Sequence, residues 1–271
     1  MKSLIVKIVE KEFSNDNGNG PDKILSDISF MVNAGSIICL FGPSGCGKTT
    51  LIRIIAGVDQ DFVGDVFLDD QRIAKPSRRI GMTVQTGFAY NWLSVADNIG
   101  FGLRYNLGRN NKYRFEGEIK DRIKELAQIV GLSLKDLDKY PEEISGGMRQ
   151  RMAFARAIAT NPEVVLLDEP FSSIDTQSRE LLQDVVLKVR ENFGTTFLFV
   201  SHDPEEAIYT ADKILVLGGR PATINEEIKS SFNLPGSKSV DNASDIRYSS
   251  KFQQEKRHLR RMLGNIVSKS K

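Results

Sequence analysis

Residues Gly42, Pro43, Ser44, Gly45, Cys46, Gly47, Lys48 and Thr49, with Thr50 next in line, have the types and spacing to hold a polyphosphate. They form G-x-x-x-x-G-K-[ST] between an apolar run, SIICLF, and a helix-like run, LIRIIAGV. That setting is the one in which this pattern binds phosphate. The glycines let the backbone turn so that successive N–H groups face one anion, and the helix behind them adds its positive end. Lys48 can reach β- and γ-phosphates, and the Thr49 hydroxyl can ligate Mg²⁺. Cys46 reads either as an inert variable position or as a thiol whose alkylation would block the loop.

Three further groups can act on the same phosphates. VVLLDEP at 164–170 is an apolar strand that ends in two acids. Such a strand delivers Asp168 to the carboxyl edge of a parallel sheet, where it suits Mg²⁺, directly or through water. Glu169 then suits the orientation or deprotonation of an attacking water. Ser145, Gly146 and Gly147 open ISGGMRQRMAFARAI, a helix with serine as N-cap and glycines that permit close approach. Alone, these residues also make an ordinary cap. Two phosphate-ready helix starts in one chain suggest one nucleotide held from opposite sides. His202 directly follows TTFLFVS. A histidine at a strand end is often structural, but its place after the acid-bearing strand favours a functional reading.

The elements that position these residues read as an α/β fold. KSLIVKIVEKEF and ILSDISFMV are strand patterns joined by the turn-rich NDNGNGPD, which predicts an antiparallel edge layer. SIICLF, EVVLLDEP and TTFLFVSHD are short continuous apolar runs of the kind buried in parallel sheets. KILVLGGRPATI returns to strand. RFEGEIKDRIKELAQIVGL reads as a helix ended by Gly131, SRELLQDVVLKVRENFG as another, and DPEEAIYTAD as a short one. The pattern predicts a sheet core over about 36–85 and 160–225, interrupted by a helical insert over about 90–158. After Gln85, the stretch QTGFAYNWLSVADNIGFGL carries Phe88, Tyr90, Trp92, Leu93 and Val95. These residues suit internal packing, a groove for a partner's short helix, or both.

Composition narrows the class. The chain has 271 residues, 40% hydrophobic and 27% charged, with net charge +2, so no strong field argues for nucleic acid. No apolar run is long enough to cross a membrane. The opening MKSLIVKIVEKEF does not read as a signal peptide, because charge interrupts its short apolar stretch. Cys39 and Cys46 are the only cysteines, too few for a disulfide framework or a Cys-rich zinc site, and they suit a reducing compartment. Residues 247–271 carry a net +7, which leaves −5 for residues 1–246. Within the basic end, Phe252, Leu259 and Leu263 stand at helical spacing. This segment reads as a solvated helix packed by one face, or as a helix near anionic headgroups. Within an extension over 226–271, the stretch SSFNLPGSKSVDNASDIRYSS (230–250) is polar and turn-rich, and fits a loop wrapped on the core or a linker to the basic helix.

The order phosphate loop, Gln85, ISGGMRQR, VVLLDEP, Ser172-Ser173-Ile174-Asp175, His202 resembles the ATP-binding subunit of ABC transporters, over about residues 1–225. The resemblance implies a P-loop NTPase core sheet with an antiparallel β edge layer and an inserted α-helical subdomain. It implies that Gln85 senses Mg²⁺ and the membrane partner. It implies that Ser145, Gly146 and Gly147 bind the γ-phosphate of an ATP held by a second subunit, with Asp175 at the dimer seam and His202 on the γ-phosphate. Phe13 resembles the aromatic that stacks on adenine, and equally fits a core phenylalanine. Met148 and Ile174 depart from the family's commonest wording, which usually has Gln and Leu there.

The implied protein is an ATPase that uses ATP and Mg²⁺, closes as a homodimer or with a paired ATPase subunit, and works on separate transmembrane permease subunits. An extracytoplasmic solute-binding protein would act indirectly, and the location would be peripheral, on the cytoplasmic side of the inner membrane. NWLSVADNI, ISGGMRQRMAFARAI and the basic tail resemble the nitrate, sulfonate and taurine importer group. Another importer or an exporter is the nearest alternative. A DNA-repair-type ATPase of the same head would carry a coiled-coil insertion, yet Lys48 and Ser145 are only 97 positions apart without sustained heptads. A phosphate-loop kinase would not need ISGGMRQR, and Glu169 suits water better than a transferred hydroxyl.

Overall fold

The computed structural model describes residues 3–14, 20–84, 89–104, 116–172, 174–232 and 243–269. Two compact units make up the chain, Met1–Ser77 with Thr196–Lys271, and Arg78–Thr195.

In the first unit, strands β1 (Ser3–Phe13) and β2 (Asp22–Asn33) pair antiparallel, and β1 also pairs with β4 (Val63–Leu68), which pairs with β5 (Gln71–Arg72). The period-two pattern explains this layer: Leu4, Val6 and Ile8 are buried on β1, while Ile5 and Lys7 turn the other way. The expected antiparallel edge layer is present. Strand β3 (Ile37–Phe41) lies between β8 (Thr196–Ser201) and β9 (Lys213–Gly218), parallel to both. Every residue of β3 and β8 is buried, so continuous apolar runs, not alternation, mark them. Strand β10 (Thr223–Lys229) returns antiparallel to β9. KILVLGGRPATI is thus two strands, divided where Gly219 takes φ +97°. Helix α1 (Lys48–Ile55) leaves the phosphate-type loop, and α6 (Pro204–Thr210) follows β8 with Asp203 as its cap. Helices α7 (Ala243–Tyr248) and α8 (Ser250–Lys269) close this unit.

The second unit contains β6 (Ile80–Thr83), parallel to β7 (Val164–Leu167), and helices α2 (Val95–Arg104), α3 (Glu116–Ile129), α4 (Gly146–Ile158) and α5 (Thr176–Phe193). Of the apolar positions Ile119, Ile123, Leu126, Ile129 and Val130 that the helical spacing picks out, all are buried but Ile129, which is half-buried, and Gly131 follows with φ +68°. Helix α5 begins two residues before the pattern suggests, because the Asp175 carboxylate accepts the Ser178 N–H at 2.9 Å and caps it.

Candidate phosphate site and its companions

The loop's glycines are required by close approach. A Cβ on Gly42 would lie 2.5 Å from the Leu217 carbonyl oxygen, and Gly47 has φ +97° with Ile24 and Leu25 side chains at 2.9 Å. Any side chain at either place would push the loop off its seat. Lys48 is 4% exposed, and its ammonium donates to the carbonyls of Gly42 at 2.9 Å and Pro43 at 2.7 Å. The cation therefore sits inside the curve that it is expected to share with phosphate. Ser44, Gly45 and Thr49 are exposed, and Thr50 is half-buried in the first turn of α1. Cys46 is half-buried with Sγ 3.9 Å from the Lys48 ammonium. Burial pushes its thiol up, partly opposed by the Lys48 charge. Cys39, on buried β3, is pushed well above its ordinary value by burial.

His202 comes to this loop by strand register. Phe41 of β3 and Ser201 of β8 are parallel partners, so Gly42 and His202 leave neighbouring strands at one edge. His202 is exposed. Below it, the Ser201 hydroxyl donates to buried Glu206 at 2.5 Å and accepts the Asp203 N–H at 3.0 Å, which fixes the turn into α6. Phe13 ends β1 opposite Asp22 and is 44% exposed. The Lys11 ammonium lies 4.6 Å from its ring centroid, so one aromatic face already holds a cation. Lys11 itself is buried and paired with Asp59 at 3.0 Å.

The second unit brings three predicted groups into order. Asp168, 2% exposed, stands at the end of β7, and its N–H reaches the Thr83 carbonyl at 3.4 Å. Glu169 has φ +46°, a left-handed conformation rare for a residue with a Cβ. Its carbonyl accepts both the N–H and the hydroxyl of Ser172, at 3.2 and 2.9 Å. The bend that follows β7 is thus pinned, with Glu169 at its strained point. The Ser145 hydroxyl accepts the Met148 N–H at 3.2 Å and caps α4. Arg149 holds the approach to that helix through the Pro141 and Ile144 carbonyls at 3.1 and 2.8 Å. Ser145 and Gly146 are exposed, whereas Gly147 is buried, and a Cβ on it would lie 2.4 Å from the Ser178 hydroxyl. Gly147 and the Asp175 cap of α5 thus share one small junction. Hydrogen bonds from Ser178, backbone first, hold the Asp175 carboxyl below its usual range. Gln85, Phe88 and Ser173 lie outside the described residues.

One arrangement was missed by reading types and spacing. Asn98, wholly buried, accepts the Tyr90 N–H at 2.8 Å and donates to the carbonyls of Tyr90, Leu93 and Ser94 at 3.0–3.1 Å. Arg156 adds a bond to the Asn98 oxygen at 3.2 Å and lies over the Tyr90 ring at 4.9 Å. Tyr90 also meets Phe101 with centroids 4.5 Å apart. Val95 is buried, but Trp92 is left 74% exposed on this fixed segment.

The oxygen-only donors Thr49 and Asp168 suit a small hard cation such as Mg²⁺; the former is in the first unit, the latter in the second. Among the described residues no helix is long and apolar enough to cross a membrane.

Comparison with known proteins adds the lineage. The sequence model of the ABC transporter family matches residues 25–172. The aliphatic sulfonates import ATP-binding protein SsuB of a Bacillus cereus strain is 41% identical over 245 residues, covering 90% of this chain and 93% of the relative. The nitrate import ATP-binding protein NrtD of Synechocystis sp. is 37% identical over 212 residues, covering 78% and 76%. Among solved structures, the dimeric post-hydrolysis state of the ATP-binding cassette MJ0796 with ADP and Pi aligns with a TM-score of 0.73 and 27% identity, covering 83% of this chain and 98% of that one. A tight glycine loop with its lysine inside, a strand ending in two acids and a serine-capped helix opened by glycines thus occur here in a chain with such relatives: the chain belongs to the ABC transporter ATPase family.

Proposed function

We propose that two copies of this chain close around two ATP molecules and use their hydrolysis to drive import through separate membrane subunits. The observation that carries this reading is the start of α4, where Ser145 and Gly146 are open to solvent while Gly147 is sealed against Ser178. A helix start so exposed and so firmly seated is a ready anion site, additional to the loop at Gly42–Thr49. The dimeric relative bound to ADP and Pi supports the pairing.

In this reading the backbone of Gly42–Gly47 cradles the β-phosphate, and Lys48 exchanges its own-loop carbonyls for phosphate oxygens. Thr49 and Asp168, with Gln85, would hold Mg²⁺, which would supply positive charge against the phosphates. Glu169 orients the attacking water and takes its proton. His202 donates to the γ-phosphate, and Ser145, Gly146 and Gly147 of the partner copy close on it from the far side. Asp175 lies at the seam. Phe13 offers its free face to adenine. Loss of the shared γ-phosphate separates the copies.

The segment fixed by Asn98, with Trp92 exposed, is the surface we assign to a short helix of the permease subunits. In this reading the chain works peripherally, on the cytoplasmic side of the cell membrane, with a solute-binding protein acting indirectly. Relatives named for sulfonate and nitrate import support a small oxyanion as the transported solute. Residues 1–225 form the ATPase domain and 226–271 its extension.

Size-exclusion chromatography of Glu169→Gln with and without Mg-ATP tests the reading. A shift from monomer to dimer with ATP, together with lost turnover and retained ATP binding, is expected. Undiminished turnover would remove Glu169 from its role, and bound ATP without a shift would remove the Ser145 helix start from its own.

A further inference from the structure

A cavity of about 330 Å³ opens beside the phosphate loop, within the size range of small-molecule sites. The loop contributes Pro43–Cys46 to it. The other walls are Ile24 on β2, Gly219 and Arg220 after β9, and Val267 near the end of α8. Neither Arg220 nor Val267 belongs to any phosphate-binding pattern in the chain.

These walls are held in place. The turn after β9 is tied to β2, because the Ala222 N–H donates to the Ile24 carbonyl at 2.9 Å and the Ser26 N–H to the Ala222 carbonyl at 3.0 Å. Arg220 donates to the carboxylate of Asp22, the strand position that faces Phe13, at 2.6 Å. The end of α8 is seated on β9: a Cβ on Gly218 would lie 2.4 Å from Ile266 Cγ2. Further back, Phe252 and Leu259 are buried, and Lys256 pairs with Glu205 of α6. The helix that carries Val267 is therefore anchored along its length rather than trailing.

A triphosphate on the loop amides must send its nucleoside out over one side of the loop. The side bounded by Ile24, Arg220 and Val267 offers what a nucleoside needs: two aliphatic faces for base and ribose, and a guanidinium that can stack on a ring or donate to ring nitrogens and ribose hydroxyls. We propose that Arg220 and Val267 form a nucleoside-binding wall of the ATP site, so that α8 is part of that site. The inference rests on the reading of Gly42–Thr49 as the triphosphate loop.

The test compares two probes on the full chain, Mg-ATP and Mg-tripolyphosphate, by equilibrium titration of wild type, Arg220→Ala, Val267→Asp and Lys48→Ala. Arg220 is 74% exposed in its side chain and Val267 39%, so both variants are surface changes that leave the fold intact. ATP affinity is expected to fall about tenfold in Arg220→Ala, the scale of a lost hydrogen bond to a charged group, and at least as far in Val267→Asp, which sets a carboxylate where the wall is aliphatic. Tripolyphosphate affinity is expected to stay within about twofold, because it has no nucleoside to lose. Unchanged ATP affinity in both variants would overturn the proposal. So would an equal loss for both probes, which would make Arg220 a general cation at the loop. Lys48→Ala binding both probes as wild type does would instead overturn the triphosphate-loop reading itself, and this inference with it.

Discussion

At the scale of single residues, Gly147 and Cys46 have the sharpest expected outcomes. Gly147→Ala places a methyl 2.4 Å from the Ser178 hydroxyl and so strains the Asp175 cap. It is expected to lose about 1–3 kcal/mol of stability by urea titration, the usual cost of overpacking. It should also lose turnover while ATP still binds the intact loop at Gly42–Thr49; turnover at the wild-type rate would show that the junction has no part in hydrolysis. Burial raises the Cys46 thiol, so its thiolate is scarce at neutral pH and grows as pH climbs toward the raised value. Iodoacetamide should therefore label Cys46 more slowly than a free thiol at pH 7, its rate should rise from pH 7 to pH 9, and Mg-ATP should protect it at both. Residues 42–49 were legible because one short stretch holds both the loop and its reason. Arg220 and Val267 were not, because they reach the same cavity only after the turn after β9 docks on β2 and α8 settles on Gly218.

At the scale of elements, the strands were legible from two patterns, alternation in β1 and unbroken apolar runs in β3, β7 and β8. The capped starts of α4 and α5 follow equally from Ser145 and Asp175. Asn98 was not legible, because a buried amide that satisfies four backbone groups in one loop has no periodic signature. The basic segment was readable as a helix by its apolar spacing, and its docking rests on Phe252, 0% exposed and edge-on to Phe232 at 5.4 Å. Phe252→Ala should cost about 3–5 kcal/mol in urea unfolding, as for other fully buried aromatics. A cost under about 1 kcal/mol, the range of exposed positions, would mean that α8 is not packed as described.

At the scale of the whole molecule, a site shared by two copies has a kinetic signature. At concentrations well below the dimer constant, the ATPase rate should rise with the square of protein concentration, and it should become linear once dimers saturate; linearity throughout would assign hydrolysis to the single chain. The strand arrangement has a consequence of another kind, for synthesis. Strand β3, which launches the phosphate loop, takes both its neighbours from Thr196–Ser201 and Lys213–Gly218, while Arg78–Thr195 is an uninterrupted stretch that forms its own unit. A ribosome therefore releases the contiguous unit first, with Ile37–Phe41 already made but still lacking both its partners. During that interval the most apolar strand of the nucleotide half is exposed to solvent, to chaperones and to other nascent chains. The newborn chain cannot form the seat of its phosphate loop until β9 has been translated.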